Sequence, residues 1–164
     1  RVYTNGFLFQ EKEGERRLNM DTIAQYPEIE VCDYQNIKNG KDITLENGKT
    51  IANAELTFEP HRPQSYAYCS DTVYLEDLAT EIQGTRVIYH ESTFLKINEE
   101  LAAKTMHATA YQAGLVAKNA QAEALILGHY SSRYPDVNMF KQEAQEVFKN
   151  VLLAEDGKKF VFEN

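Results

Sequence analysis

The sequence predicts an α/β chain whose first third is antiparallel. Two patterns carry that prediction: strand-like and helix-like runs alternate from residue 65 onward, and an Asn-Gly hairpin signal precedes them. The composition agrees, since 43% of the 164 residues are apolar and 26% charged, the balance of a chain that folds rather than one that stays disordered. That length suits one domain with a sizeable core. Within it, 1–60 reads as a strand followed by an arm and hairpin region, and 61–164 as the α/β layer that carries the chemistry.

Taken in order, Val2 to Phe9 is aromatic and β-branched and reads as a strand. Asn5-Gly6 interrupts it, which suits a bulge or a close approach of two backbones. Glu11-Lys12-Glu13-Gly14-Glu15-Arg16-Arg17 is too charged to bury and reads as a solvated hairpin tip. Met20 to Ile37 is irregular, with Pro27 as a breaker. Ile43-Thr44-Leu45, Asn47-Gly48 and Thr50-Ile51 spell strand, type I′ turn and strand. Beyond Pro60, Ser65 to Cys69 is a strand, Tyr74 to Ile82 a helix, Arg86 to Tyr89 a strand, and Thr109 to Ala120 an Ala-rich helix capped by Thr109. Ala124 to Leu127 is the next strand and Asn138 to Phe148 the next helix. Val151 to Ala154 and Lys158 to Phe162 make a closing strand pair turned by Asp156-Gly157, so the expected architecture is a sheet covered by helices.

With 17 basic and 25 acidic residues the net charge is −8 and the pI about 5.0, which argues against coating nucleic acid or anionic membrane through bulk charge. No apolar run approaches the roughly 18 residues of a membrane span, and the start lacks a signal peptide's apolar core. The expectation is a cytoplasmic protein with no membrane contact. Cys32 and Cys69 are far apart, without a Cys-x-x-Cys, and read as plain thiols. The chain opens on Arg1 and runs at once into a strand-like stretch, so it reads as a piece of a longer protein.

Three apolar runs end in residues able to bind a metal or move a proton. Tyr66-Ala67-Tyr68-Cys69 leads to Asp71, Val87-Ile88-Tyr89 to His90-Glu91, and Leu125-Ile126-Leu127-Gly128 to His129. In sheets of this class ligands gather beyond the carboxyl ends of the strands, so the three strands aim Asp71, His90 and His129 at one rim, which His107 joins from the loop before the Thr109-capped helix. Singly each is weak: an Asp past a strand more often caps a turn, a lone His at a strand end is more often structural, and His61 in its Pro-flanked loop reads as surface. Together they suggest a His/carboxylate metal site, suited to Zn²⁺, with Mn²⁺ or Fe²⁺ fitting as well. The set is incomplete, because a catalytic zinc takes at least three protein ligands.

Four motifs in order resemble a known family. Ser65-Tyr66-Ala67-Tyr68-Cys69-Ser70-Asp71-Thr72, His90-Glu91-Ser92-Thr93-Phe94, His107-Ala108-Thr109 and His129-Tyr130-Ser131-Ser132-Arg133-Tyr134 are similar to the motifs of ribonuclease Z, the tRNA 3′-processing endonucleases of the metallo-β-lactamase fold. The resemblance covers roughly the last hundred residues. It implies the C-terminal half of an αββα sandwich and a zinc-dependent endoribonuclease that removes 3′ trailers from precursor tRNA by metal-hydroxide attack on a phosphodiester. It implies Asp71 as the carboxylate bridging two zinc ions and His129 as a terminal ligand. His107 becomes the group that assists the leaving oxygen, Glu91 its orienting partner, and Arg133 a phosphate contact. Ser92 stands where the family has Ala, and His90 is expected to be structural.

The resemblance also places the remaining ligands in an N-terminal half of the same protein, with the nearest histidine just before Arg1. The fragment alone is then expected to be inactive, to expose an apolar face, and to come from a homodimer. Gln35 to Lys41 resembles the return strand of a tRNA-gripping arm, whereas Tyr26 to Asp33 is acidic where phosphate contact calls for Lys or Arg. Two other readings stay open: a hydrolase of the same fold acting on small phosphodiesters or thioesters, and a noncatalytic binding or assembly module.

Overall fold

The structure, a computed structural model, describes residues 3–162; Val2 of the expected first strand falls outside them, as do Arg1, Glu163 and Asn164. In chain order the elements are β1 (Phe7–Gln10), β2 (Arg17–Leu18), α1 (Met20–Ile23), α2 (Tyr34–Lys38), β3 (Ile43–Thr44), β4 (Thr50–Ile51), α3 (Asn53–Leu56), β5 (Thr57–Phe58) and β6 (Ser65–Cys69). There follow α4 (Leu78–Glu81), β7 (Val87–Glu91), α5 (Glu99–Thr105), α6 (Ala110–Asn119), β8 (Ala124–Gly128), α7 (Asn138–Gln145) and β9 (Val151–Leu153), with single tight turns of helix at Val31–Asp33 and Lys96–Asn98. They form two compact units: one runs to Glu11 and resumes from Gln64 to Phe162, and the other is Lys12–Pro63.

The first unit is built on a five-stranded sheet of order β1-β6-β7-β8-β9. Strands β6 to β9 are parallel, while β1 runs antiparallel to β6 with Phe7 opposite Tyr68 and Gln10 opposite Ser65. Successive strand residues face opposite sides. Ala67, Cys69, Ile88, Leu125 and Leu127 therefore share a core with Ala79, Ala113, Ala117, Phe140 and Ala144 of the helices. The other side holds Val87, Ala124 and Ile126, with Tyr66, Tyr89, Leu152, Phe160 and Phe162 packed on them. Leu8, Phe9, Tyr66, Val87, Ile126 and Phe160 line an open groove on this side, and in β1 Phe7 is 55%, Leu8 47% and Phe9 58% exposed.

In the second unit short elements surround Ile23, Ile29, Ile37, Leu45, Ile51 and Leu56. Here the structure differs from the sequence reading. The charged run after Glu11 is no hairpin tip, because β1 pairs with β6 and β2 with β5. Residues expected as a return strand form α2 instead; Tyr34 and Ile37, three apart, share one helix face that meets the core. The β3–β4 hairpin is present, but of its Asn47-Gly48 pair only Gly48 has a positive φ (82°), and Leu45 N bonds Lys49 O at 2.9 Å. That is a type I turn with a glycine bulge rather than type I′.

In the first unit the expected helix 74–82 shrinks to α4, since residues 70–77 are taken up by the loop leaving β6. Strand β7 runs on through His90 and Glu91, two residues past its expected end. Lys158 to Phe162 forms no strand; Phe160 and Phe162 add side chains to the sheet face rather than backbone to its edge. Helix α5 was not foreseen.

Helices α6 and α7 meet at Gly114, where an added Cβ would lie 2.8 Å from Val147 Cγ2 and 2.9 Å from the Ala144 carbonyl oxygen. That collision with backbone outweighs the gain in helix propensity. Gly114→Ala is expected to lose a net ~1–2 kcal/mol of stability, read as a lowered urea midpoint; an unchanged midpoint would show that α7 is free to step back.

Candidate metal centre

Three neighbouring parallel strands end at one rim. Asp71 follows β6 by two residues, Glu91 is the last residue of β7, and His129 is the first residue after β8. Adjacent strands lie about 4.8 Å apart, so the order β6-β7-β8 sets two carboxylates and an imidazole side by side. Asp71 and His129 both adopt left-handed backbone, with φ of 54° and 59°. In non-glycine residues that conformation costs roughly 1–3 kcal/mol and clusters at functional sites. Thr4 Oγ1 donates to the Asp71 carbonyl at 3.1 Å and helps hold its turn.

His107 reaches the rim from the long connection between β7 and α6. Helix α5 ends on Met106 at φ 64°, a left-handed cap more often given to glycine, and His107 N donates back to Ala102 O at 2.8 Å. The ends of the connection are stitched by Phe94 N to Ala108 O at 3.3 Å and Ala110 N to Phe94 O at 3.0 Å. Thr109 caps α6 as expected and forms a reciprocal capping box with Gln112.

Ligand-capable atoms of Asp71, Glu91, His107 and His129 all lie within 4.8 Å of one another. His107 Nδ1 is 2.8 Å from Glu91 Oε1 and 3.6 Å from Asp71 Oδ1, and the His107 and His129 rings are 5.3 Å apart. Glu91 is fully buried and accepts from His107 Nδ1, from Thr93 N at 3.0 Å and from Thr93 Oγ1 at 2.6 Å. Its oxygens are thus engaged within the protein. The Asp71 side chain is 47% exposed and His129 is exposed. A hard oxygen and a borderline nitrogen on the accessible side form a donor pair that zinc accepts.

No family model matches the chain. Ribonuclease Z of Phocaeicola vulgatus is 42% identical over 164 residues, 100% of this chain and 53% of the relative. That of Cytophaga hutchinsonii is 42% identical over 161 residues, 98% and 51% of the two chains. Ribonuclease Z of Porphyromonas gingivalis is 40% identical over 156 residues, 95% and 51% of the two chains. Over nearly its whole length the chain is thus similar to ribonucleases Z. It spans about half the length of the curated relatives it matches. Among solved structures, a long form RNase Z from yeast is 28% identical at a TM-score of 0.52, over 58% of this chain and 13% of that one. The metallo-beta-lactamase fold protein YhfI from Bacillus subtilis is 25% identical at a TM-score of 0.55, over 61% and 40%. The sheet with helices on one face is therefore part of a metallo-β-lactamase fold, as the motifs implied.

Of the other residues singled out in the sequence, Arg133 is exposed outside the cluster, its guanidinium 5.3 Å over the Phe94 ring, whose centre is 6.1 Å from that of His107. His61 is exposed, and both cysteines are free. Burial pushes the Cys69 thiol up to about 11, leaving it inert. Thr93 and Phe94 were not marked as functional. Their sequence signal was membership of the same motif as Glu91.

His90, which its strand end aimed at the rim, stands outside the cluster: strand alternation turns it to the opposite side from Glu91, and it keeps only the structural role the resemblance gave it. It is fully buried, its Nδ1 lies 2.7 Å from the Glu91 carbonyl oxygen, and its Nε2 has no hydrogen-bond partner among the described residues. Burial lowers its pKa from 6.5 against the smaller opposing pull of Glu91, so the folded imidazole is neutral. The unfolded chain takes up a proton there first. Stability is accordingly intact above about pH 6.5 and falls as the pH drops below it, by up to ~1.4 kcal/mol per unit, until the folded pKa is reached. His90→Asn, which can still donate to the Glu91 carbonyl, is expected to flatten that fall in urea midpoints; an unchanged slope would refute the assignment.

Proposed function

We propose that this chain is the C-terminal part of a cytoplasmic, zinc-dependent endoribonuclease that removes 3′ trailers from tRNA precursors. The observation that carries the reading is the convergence of Asp71, Glu91, His107 and His129 within 4.8 Å in a chain whose relatives are ribonucleases Z over half their length. Asp71 and His129 would hold the metal. A bound zinc supplies Lewis-acid polarisation of the phosphate and lowers the pKa of water. The further donors that zinc demands would come from an N-terminal half of the same protein. That half would also cover the apolar sheet face around Val87 and Ile126, which two copies of the complete protein would then carry as a homodimer.

The remaining roles belong to this chain's own side chains. His107 donates its Nδ1 proton to Glu91, 2.8 Å away, which fixes the ring so that Nε2 is free to take up a proton and hand it to the leaving oxygen. Arg133, stacked on Phe94, offers planar donors to a neighbouring phosphate of the RNA. Mn²⁺ satisfies the same donor types.

In the full-length protein Asp71→Ala is expected to remove metal and activity together. His107→Ala is expected to lower kcat on precursor tRNA by about 10²- to 10⁴-fold with zinc content retained, and the reverse pattern would overturn both assignments. The isolated chain should neither cleave precursor tRNA nor bind two zinc ions tightly. A full-length protein that cut a chromogenic phosphodiester but left precursor tRNA intact would replace the tRNA reading with that of a small-molecule phosphodiesterase.

A further inference from the structure

The hydroxyl of Thr93 touches three members of the cluster. It lies 2.6 Å from Glu91 Oε2, 2.8 Å from His129 Nδ1 and 3.2 Å from His107 Nδ1, at the end of a side chain that is nearly fully buried. A hydroxyl has one proton and two lone pairs, whereas a carboxylate only accepts. The Thr93 proton is therefore committed to Glu91, an assignment reinforced by Thr93 N donating to the same oxygen at 3.0 Å. With no second proton to give, Thr93 can meet the two imidazoles only as an acceptor. Both Nδ1 atoms must then carry hydrogen. His107 Nδ1 has Glu91 Oε1 at 2.8 Å as its main acceptor, and for His129 Nδ1 the acceptor is Thr93 itself.

We propose that Thr93 is a positioning residue whose single hydroxyl, oriented by Glu91, locks His129 and His107 in the Nδ1–H tautomer, leaving Nε2 of His129 to bind a cation and Nε2 of His107 to move a proton. The inference rests on the reading of Asp71 and His129 as cation ligands. It adds that Glu91, which makes no direct bond to His129, governs that ligand through Thr93. Partners of this kind on a ligating imidazole raise its basicity and fix its ring, and their removal costs about 10- to 100-fold in metal affinity. A threonine serving only to fill space at a strand end would be replaceable by valine.

The test uses full-length protein with ¹⁵N-labelled histidine and the variants Thr93→Val and Thr93→Ser. In the metal-free state, wild type and Thr93→Ser are expected to show His129 with a protonated Nδ1 and a bare Nε2, and Thr93→Val a mixture of tautomers. Zinc affinity, measured by competition with a chromophoric chelator, is expected to fall about 10- to 100-fold in Thr93→Val and to hold in Thr93→Ser. A wild-type His129 protonated on Nε2, or a folded Thr93→Val with unchanged tautomer and affinity, overturns the proposal. If Thr93→Val does not fold, Thr93→Ser decides alone: loss of the Nδ1–H tautomer there overturns it equally. A wild-type protein that holds the tautomer but binds no zinc removes the metal reading and leaves the role of Thr93 in place.

Discussion

The site depends on one buried carboxylate. Glu91 sits with no exposure at the end of the central strand β7, and an isolated ion there would cost several kcal/mol in lost hydration. Three donors offset that cost: the Thr93 amide, the Thr93 hydroxyl and His107 Nδ1. Each donor is thereby fixed in place. The need to satisfy Glu91 draws in the loop that carries His107, and the hydroxyl so oriented presents lone pairs to His129.

The sheet supplies the rest of the geometry. Parallel strands β6, β7 and β8 start from one side and stop together on the other, so their last residues are neighbours whatever lies between them in sequence. Asp71 and His129 then leave the strands through left-handed turns. Strain is tolerated there because the flanking strands hold the backbone at both sites, and because Asp71 is pinned further by Thr4. The same sheet divides its labour by face: the helix side is a filled core that receives neutral His90, while the opposite side stays a groove of Leu8, Phe9, Tyr66, Val87 and Ile126.

Much of this was legible in the chain itself. The strands of the main sheet, the capped helix α6 and the placing of Asp71 and His129 at one rim follow from apolar runs that end in polar residues, a pattern with a local cause; the same runs aimed His90 at that rim, where the structure has Glu91 instead. What failed to read correctly has a different origin. Tyr34 to Lys38 contains nothing that separates helix from strand until Ile37 finds its core, and Lys158 to Phe162 is β-prone by composition yet packs by its side chains alone.

Alternation along the strands and the cap at Thr109 therefore determined the strands of the main sheet, helix α6 and the rim where Asp71 and His129 stand, because those signals act between residues close in sequence. The tertiary structure alone decided that Thr93 stands between Glu91 and His129, 36 residues beyond it, and that His90 turns to the core while its neighbour joins the site. Such relations depend on which strands become neighbours and on the direction of single hydrogen bonds. Neither is written in any local run of residues.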